Sequence, residues 1–421
     1  MRDTDLYRQL LGLTSPWTVE RVELDVKTHR VDVFAIHEKP ESWPCPECKK
    51  GCGLHDHDDE KVWRHLDSCG FGTYLHARVP RVSCSVHGVR QVRVPWAEPK
   101  SRFTALFERF AIAVLLETSV AGGAEVLGIS WDEAHLLKAR AVARGLARRP
   151  HTVPRLMGVD EKAIAKGQRY VTMVCDLEEG HVVEVAEERT KQSLMSCLGR
   201  FSLDDLAKVE AIAMDMWEPY ALVIRALIEG AADKIVYDPF HIVGHMNEAL
   251  DQVRRKENKG LRADGDDRLV GSKHLWLYGA DNFPVDRYDL DVRMDFADLK
   301  RSNLKTARAW ALKEMLRDLW KQRSRAAAER WWLRWYSWAV RARLAPVKKV
   351  AGMVKRHLHN VLTYFKHRIT NAGSEAINSV VQMLKKRAFG YRSFQNFRIA
   401  ILFHCGGLDL YPLESGSHPK P

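Results

Sequence analysis

Apolar and polar residues alternate strictly in two runs near the start of the chain, Thr18-Val-Glu-Arg-Val-Glu-Leu-Asp-Val-Lys27 and Arg30-Val-Asp-Val-Phe-Ala-Ile36. A period of two predicts half-buried antiparallel strands. Further strand-like stretches, Tyr74-Leu-His-Ala-Arg-Val79 and Val89-Arg-Gln-Val-Arg-Val94, lie between turns, and Pro95 and Pro99 punctuate the exit. From 101 to 149 the spacing becomes helical, with Phe103, Leu106, Phe107, Phe110, Val114 and Leu115 on one face. Gly128 then offers a turn. Ser130 with Glu133 forms an S-x-x-E capping box that starts a second helix through Arg149. Two helices joined by a short Gly-containing turn make a helix-turn-helix pattern.

Residues 155–238 switch to alternation of strand and helix. Strands are predicted at 156–164, 169–176, 181–187, 209–215 and 234–238, and helices at 190–199, 217–229 and 240–256. After a loop at 260–268 the chain is charged and mostly helical to 350, with Trp310, Trp320, Trp331, Trp332, Trp335 and Trp338 concentrated there. Residues 351–404 are helical again, and 406–421 read as a flexible tail. There is no internal repeat.

Composition narrows the class. The chain has 421 residues, room for several domains, and an apolar content of 46% that excludes general disorder. A net charge of +12 favours a polyanionic partner. No apolar run approaches the roughly 18 residues of a membrane span, and Met1-Arg-Asp-Thr-Asp5 lacks a signal-peptide core. The expectation is a soluble intracellular protein. In a reducing compartment a cysteine cluster binds metal more often than it forms disulfides.

Three acids stand out by context. Asp160 follows the apolar run Leu156-Met-Gly-Val159, Asp215 follows Ala211-Ile-Ala-Met214, and Glu375 lies in Asn371-Ala-Gly-Ser-Glu-Ala-Ile-Asn378. Strand-end carboxylates joined by a helix carboxylate supply hard oxygen ligands for Mg²⁺ (or Mn²⁺), and two such ions per site can drive in-line displacement at a phosphodiester. Cleavage by water and joining by a 3′-OH are the same displacement with different nucleophiles. The chain has 54 acids, so each alone is better read as solvated. The basic end of the helix raises the signal: Lys386 lies about 20° around from Glu375 at 100° per residue, and Gln382 shares that face. Lys385, Arg387, Tyr391 and Arg392 extend the DNA-facing set. Asp238 is a fourth strand-end acid, readable as an accessory ligand or as a cap for the helix after it, with the cap favoured; Glu161 and Asp176 read as solvated or structural.

Gly158-Val-Asp-Glu161, Met214-Asp-Met-Trp-Glu-Pro-Tyr220, Asp238-Pro-Phe-His241 with Ala249-Leu-Asp-Gln-Val-Arg-Arg255, and the Glu375 block with Gly390-Tyr-Arg392 together resemble the transposases of the ISL-three insertion-sequence family. The resemblance covers nearly the whole chain. It implies an RNase H-like catalytic domain with a D-D-E triad, carried over by motif to Asp160, Asp215 and Glu375. It also implies a helical insertion in the 160 residues between Asp215 and Glu375. One departure is Ala376, where family members often have Gly. The expected fold is α/β multidomain. Residues 1–98 form a β-rich segment with a zinc module at 45–87, and 99–150 a helix-turn-helix. Residues 151–256 and 351–405 make up the catalytic domain around an insertion at 257–350, and 406–421 are tail.

Cys45-Pro-Glu-Cys48 and Cys84-Ser-Val-His87 are two x₂-spaced pairs that suit tetrahedral structural Zn²⁺. Cys52, His55, His57, His65 and Cys69 compete, and Cys52 or Cys69 can stand in for His87. The resemblance favours Cys45, Cys48, Cys84 and His87. On the helix opened by Ser130, Trp131 and His135 are placed to meet bases, and Lys138, Arg140 and Arg144 to meet phosphates. Trp331, Trp335 and Trp338 share a helix face and are read mainly as core. The expectation is thus a DNA transposase that binds terminal inverted repeats, with double-stranded DNA at element ends and target as partner. It would work as a homodimer or higher oligomer on DNA, nucleoid-associated in a bacterial or archaeal cytoplasm. The rivals are an inactive zinc/helix-turn-helix regulator and a structure-specific nuclease.

Overall fold

The computed structural model describes residues 2–38, 40, 42–165 and 169–412. They form two compact units, residues 1–150 with 387–389 and 395–421, and residues 151–386 with 390–394. No helix among the described residues is long and apolar enough to cross a membrane.

The first unit starts with α1 (Asp3–Leu10), followed by strands β1 (Trp17–Asp25), β2 (Arg30–His37), β3 (Trp43–Pro44), β4 (Gly51–Ser68), β5 (Phe71–Cys84) and β6 (Gly88–Gln91). The sheet runs β1-β2-β5-β4-β3, with β6 on β5. The alternating runs pair antiparallel as β1 and β2, from Trp17↔His37 to Asp25↔Arg30. One face buries Trp17, Trp43, Trp63 and Trp96, and Trp17 meets Trp96 edge-on at 4.8 Å. Each large apolar side chain so buried contributes ~1.5–3 kcal/mol. The 18-residue strand β4 has no counterpart in the hydrophobic pattern, because most of its side chains stay partly or wholly exposed. Pairing with β5 holds it instead.

Three helices follow the sheet in this unit, α2 (Ala105–Glu117), α3 (Val120–Leu127) and α4 (Trp131–Arg148), and the last helix of the chain joins them. Gly128 ends α3 at φ 62°, in the left-handed region. The capping box forms as the sequence predicts: Glu133 N–H donates to Ser130 Oγ at 3.2 Å, and Ser130 N–H donates to Glu133 Oε2 at 2.9 Å. Residues 408–411, expected as tail, pack on α4, where Gly145 leaves room for Leu408. Residues 413–421 of that expected tail lie outside the described residues.

The second unit holds strands β7 (Leu156–Ala165), β8 (Arg169–Asp176), β9 (His181–Glu187), β10 (Ala211–Met214) and β11 (Ile235–Tyr237). Their order is β11-β10-β7-β8-β9. β7, β8 and β9 are antiparallel neighbours, whereas β10 is parallel to both β7 and β11. Helices α5 (Lys191–Leu198), α6 (Leu203–Ala207) and α7 (Glu218–Leu227) connect the strands, and α8 (Pro239–Ala263) follows β11. Then come α9 (Lys273–Leu277), α10 (Leu290–Arg301), α11 (Lys305–Arg317), α12 (Arg325–Arg341), α13 (Ala345–Arg356), α14 (Leu358–Leu362), α15 (Tyr364–His367) and α16 (Ala372–Arg387), while α17 (Phe394–Cys405) belongs to the first unit from Gln395 on. The Trp-rich helix α12 faces the core: Trp332 and Trp335 are buried, and the indole N–H groups of Trp331 and Trp335 donate to the carbonyls of Met315 and Leu312.

The two faces of the second sheet differ in a way that positions the site. Met157, Val159, Ile212, Met214, Ile235 and Tyr237 point into the large core. By alternation the opposite face carries Gly158, Ala211, Ala213 and Val236, which are small or compact. That face accepts Asn371 and Ser374 at close range. A Cβ on Gly158 would lie 2.4 Å from Ser374 Oγ and 3.1 Å from Asn371 Oδ1.

Candidate functional site

Parallel pairing in register builds a row of acids. Met214 is opposite Val159 on β7 and opposite Tyr237 on β11. The next residue on each strand is Asp160, Asp215 or Asp238. Adjacent strands lie about 4.8 Å apart, so the three carboxylates stand side by side: Asp215 and Asp238 just past the carboxyl ends of β10 and β11, and Asp160, expected at a strand end, in the middle of β7, which runs on to Ala165 against β8. Asp160, Glu161 and Asp215 bring ligand oxygens within 4.8 Å of one another, and in a second set the carboxylates of Asp238 and Glu375 and a ring nitrogen of His241 do the same. Glu375, in the first turn of α16, thus joins Asp238 and His241 rather than completing one tight set with Asp160 and Asp215. An ion pair of 2.8 Å from His241 Nε2 to Asp215 Oδ1 links the two sets.

Hydrogen bonds orient these groups. The Asn378 amide donates to Asp160 Oδ2 at 2.6 Å, and Glu161 N–H donates to Asp160 Oδ1 at 2.8 Å. Asp238 caps α8 as expected, accepting from Phe240 N–H at 3.2 Å. Glu161 is not solvated: it pairs with Arg189 at 2.5 Å, and that guanidinium lies over the Trp217 ring at 4.2 Å. Asp176 is structural, accepting the N–H groups of Glu178 and Glu179 in the turn after β8.

Burial lifts the Asp160 carboxyl to about 6, with the charge of Asp215 adding to it. Burial also lifts Glu161 to about 7 against the pull of Arg189. Glu375 and Asp238 are raised as well, first by burial. Burial disfavours charge on His241, but its bond to Asp215 and the surrounding carboxylates overcome this and raise the ring to about 9. Four clustered carboxylates that resist ionisation, Asp160, Glu161, Asp238 and Glu375, fit a hard divalent cation, whose charge relieves their mutual repulsion.

In the first unit the structure brings together Cys45, Cys48, Cys84 and His87, with ligand atoms within 4.8 Å. The separations are 3.7 Å from Cys48 Sγ to Cys84 Sγ, 3.6 Å from Cys84 Sγ to His87 Nδ1, and 3.8 Å from Cys45 Sγ to His87 Nδ1. Four donors around a tetrahedral zinc with 2.3 Å bonds stand about 3.8 Å apart, so the set matches Zn²⁺. The β4–β5 ribbon closes the long gap between the pairs. Cys52 donates instead to the Lys50 carbonyl, and exposed Cys69 sits in the β4–β5 turn. Amide N–H groups of Val86 and His87, with the His87 ring, lower Cys84 to about 6 and favour the thiolate a metal needs.

The DNA-reading set separates. Trp131 is exposed and stacks on His135 at 5.0 Å. Three cations expected to face phosphates are placed otherwise. Lys138 is buried, 3.1 Å from His404 Nε2 and beneath the Phe403 ring. Arg144 pairs with Glu98 and with buried Glu108 and donates to the Leu410 carbonyl. Arg140 donates to the carbonyls of Pro99 and Lys100. Each satisfies carbonyls, carboxylates or a ring of its own unit, which a helical wheel cannot reveal. On α16, Lys386 is exposed and Gln382 and Lys385 half-buried; Arg387 donates to the Glu117 carbonyl at 3.1 Å. Tyr391 is half-buried and Arg392 exposed.

Sequence reasoning passed over His241 and Asn378 as site residues and took Glu161 out of the site. The spacing Asp238-Pro-Phe-His241 was a usable signal, because a cap and the residue three positions on share the first helical turn. The strand register that joins Asp238 to the row was not.

Comparison with known proteins agrees with this architecture. Residues 157–401 match a family described as "Transposase", residues 41–87 the "zinc-finger of transposase IS204/IS1001/IS1096/IS1165", and residues 92–135 the "Helix-turn-helix domain of transposase family ISL3". The chain is 28% identical over 405 residues to the "Transposase for insertion sequence element IS1001" of Bordetella parapertussis, covering 94% of this chain and 98% of that one. It is 27% identical over 455 residues to the "Transposase for insertion sequence element IS1557" of Mycobacterium tuberculosis, covering 100% and 99%. The class so defined is a DNA-cleaving transposase with a structural zinc site and a DNA-binding helix-turn-helix. The chain belongs to the ISL3 family of DDE transposases.

Proposed function

We propose that Asp160, Asp215 and Glu375 hold the divalent ions, two Mg²⁺ or Mn²⁺, with which this transposase cuts its element's ends and joins them to target DNA. The observation that carries this reading is the register-aligned acid row beside the first turn of α16. Three antiparallel strands followed by two parallel ones support an RNase H-like assignment for the second unit. When bound, the ions supply Lewis acidity and a nucleophilic oxygen at neutral pH. The chain's own groups prepare the place. Asn378 and the Glu161 amide fix the plane of the Asp160 carboxylate, and Arg189 pairs with Glu161 beside the row. Gln382, Lys385, Lys386 and Arg392 offer donors to DNA phosphates. Trp131 and His135 are the proposed contacts to bases in the terminal repeats. A closed four-ligand zinc site leaves no open position and acts in folding. Joining two ends calls for at least a dimer on DNA.

The test is incubation of purified protein with labelled element ends and Mg²⁺ or Mn²⁺. Wild type is expected to cut. Glu375→Gln and Asp215→Asn are expected to bind equally and to cut more than roughly 100-fold slower. Wild type that binds the ends but leaves them intact sinks the catalytic reading; a Glu375→Gln protein that cuts normally removes Glu375 from the site.

A further inference from the structure

Helix α13 carries Lys348, Lys349, Lys355 and Arg356 and no acid. Lys349 and Arg356, seven residues apart, share a face. Neither has an ion-pair or hydrogen-bond partner among the described residues. With Val350 and Met353 between them they form one wall of a cavity of about 320 Å³. The other wall belongs to α8, through His245 and Glu248, which face each other at 3.8 Å. That helix begins at the active site, with Asp238 as its cap and His241 in its first turn. At 100° and 1.5 Å per residue, His245 and Glu248 fall within about 40° of His241, the first of them about 6 Å farther along the axis. The cavity therefore continues the acid site along one face of α8.

We infer that this cavity receives an unpaired nucleotide of the DNA strand that runs from the cleavage site. Its volume suits a ligand of nucleotide size and not a duplex. Val350 and Met353 offer an apolar floor to a base. Lys349 and Arg356 stand beside that floor as unpaired cations for the flanking phosphates, the electrostatic half of a single-strand groove; among the described residues no Phe, Tyr or Trp lines the cavity, so the base rests on aliphatic and thioether contacts. Glu248 also lines the cavity, but its nearest ion-pair contact is His245 at 3.8 Å and it pairs with neither cation. The occupant is thus a melted segment beside the cut, held as the strand enters or leaves the acid row. The inference rests on the reading of Asp160, Asp215 and Glu375 as the cutting site.

The experiment compares full-length wild type with the Lys349→Ala/Arg356→Ala double variant on two labelled substrates: fully paired element ends, and ends mismatched over a few base pairs next to the cut. The double variant is expected to cut paired ends roughly 10-fold or more slower and to regain most of that loss on mismatched ends. The charge-keeping Lys349→Arg/Arg356→Lys pair is expected to stay near wild type. In parallel, 2-aminopurine beside the cut should brighten on binding wild type and not the double variant. Equal losses on both substrates would mean duplex phosphate contacts and overturn the proposal, as would no loss on either. The fluorescence arm needs no cleavage. A wild type that brightens 2-aminopurine but cuts nothing therefore fails the catalytic reading alone, and one that cuts without brightening fails this one.

Discussion

Lys138 shows what a single residue's surroundings decide. By sequence it is one cation among several on a recognition-type helix. In the structure burial, and then the charge of Arg387, lower it to about 8 from 10.5. At pH 7 the ammonium is charged whether the chain is folded or not, so the folded state bears a penalty of about 3 kcal/mol. Between pH 8 and 10.5 the unfolded chain keeps a proton that the folded chain has lost, and stability rises across that window. Lys138→Met should therefore stabilise the protein by ~1–3 kcal/mol at pH 7, with the gain shrinking toward pH 10.5. Denaturant unfolding at several pH values checks this, alongside end-binding affinity, which should change less than about twofold. A large loss of DNA affinity without a stability gain would return Lys138 to the phosphate-contacting set. The charges on α4 were legible in the sequence, but their partners were not. Glu98 precedes the helices and Leu410 follows the last of them, and only folding brings both to Arg144.

At the scale of elements, most of the second unit was legible. Predicted strands at 156–164, 169–176 and 181–187 lie within one residue of β7, β8 and β9. Short apolar runs bounded by turns carry that signal locally. The capping box at Ser130 was equally local. The gap between the two Cys-x₂ pairs was legible as a β-ribbon, but the length and bounds of strand β4 were not, because a ribbon held by pairing needs no apolar stripe. The meeting of α16 with β7 was illegible too, since it depends on Gly158 having no side chain. Gly158→Ala places a methyl 2.4 Å from Ser374 Oγ and 2.8 Å from Leu177 Cδ2. The Ser374 and Leu177 side chains, or the start of α16 that carries Ser374, must shift, at a cost of ~1–3 kcal/mol. Cleavage should fall roughly 10-fold or more, because Glu375 and Asn378 ride on that helix. Adding Ser374→Ala removes the closest clash and should restore part of the rate. Unchanged cleavage and melting temperature in Gly158→Ala would show that α16 does not sit on β7 as described.

At the scale of the whole molecule, a net charge of +12 was legible from composition alone. Its meaning is electrostatic and independent of fold. With about six phosphates neutralised, affinity for element ends should fall on the order of 10³-fold between 50 and 200 mM salt. Filter binding across that range measures the slope. A flat profile would show that the excess charge does not serve DNA.

The sequence by itself determined the class of protein. Strand-end acids, the Glu375 block, the paired Cys-x₂ motifs and the helix-turn-helix are local patterns, written in neighbouring residues. Tertiary structure alone decided which acids stand together. Parallel pairing of β7, β10 and β11 aligns Val159, Met214 and Tyr237, and so sets Asp160, Asp215 and Asp238 in one row. It also brought His241 between Asp215 and Glu375, buried Lys138, and engaged Arg140 and Arg144 with carbonyls and carboxylates of their own unit. Register and packing are relations between distant segments, fixed by hydrogen bonds and buried contacts that no stretch of sequence contains.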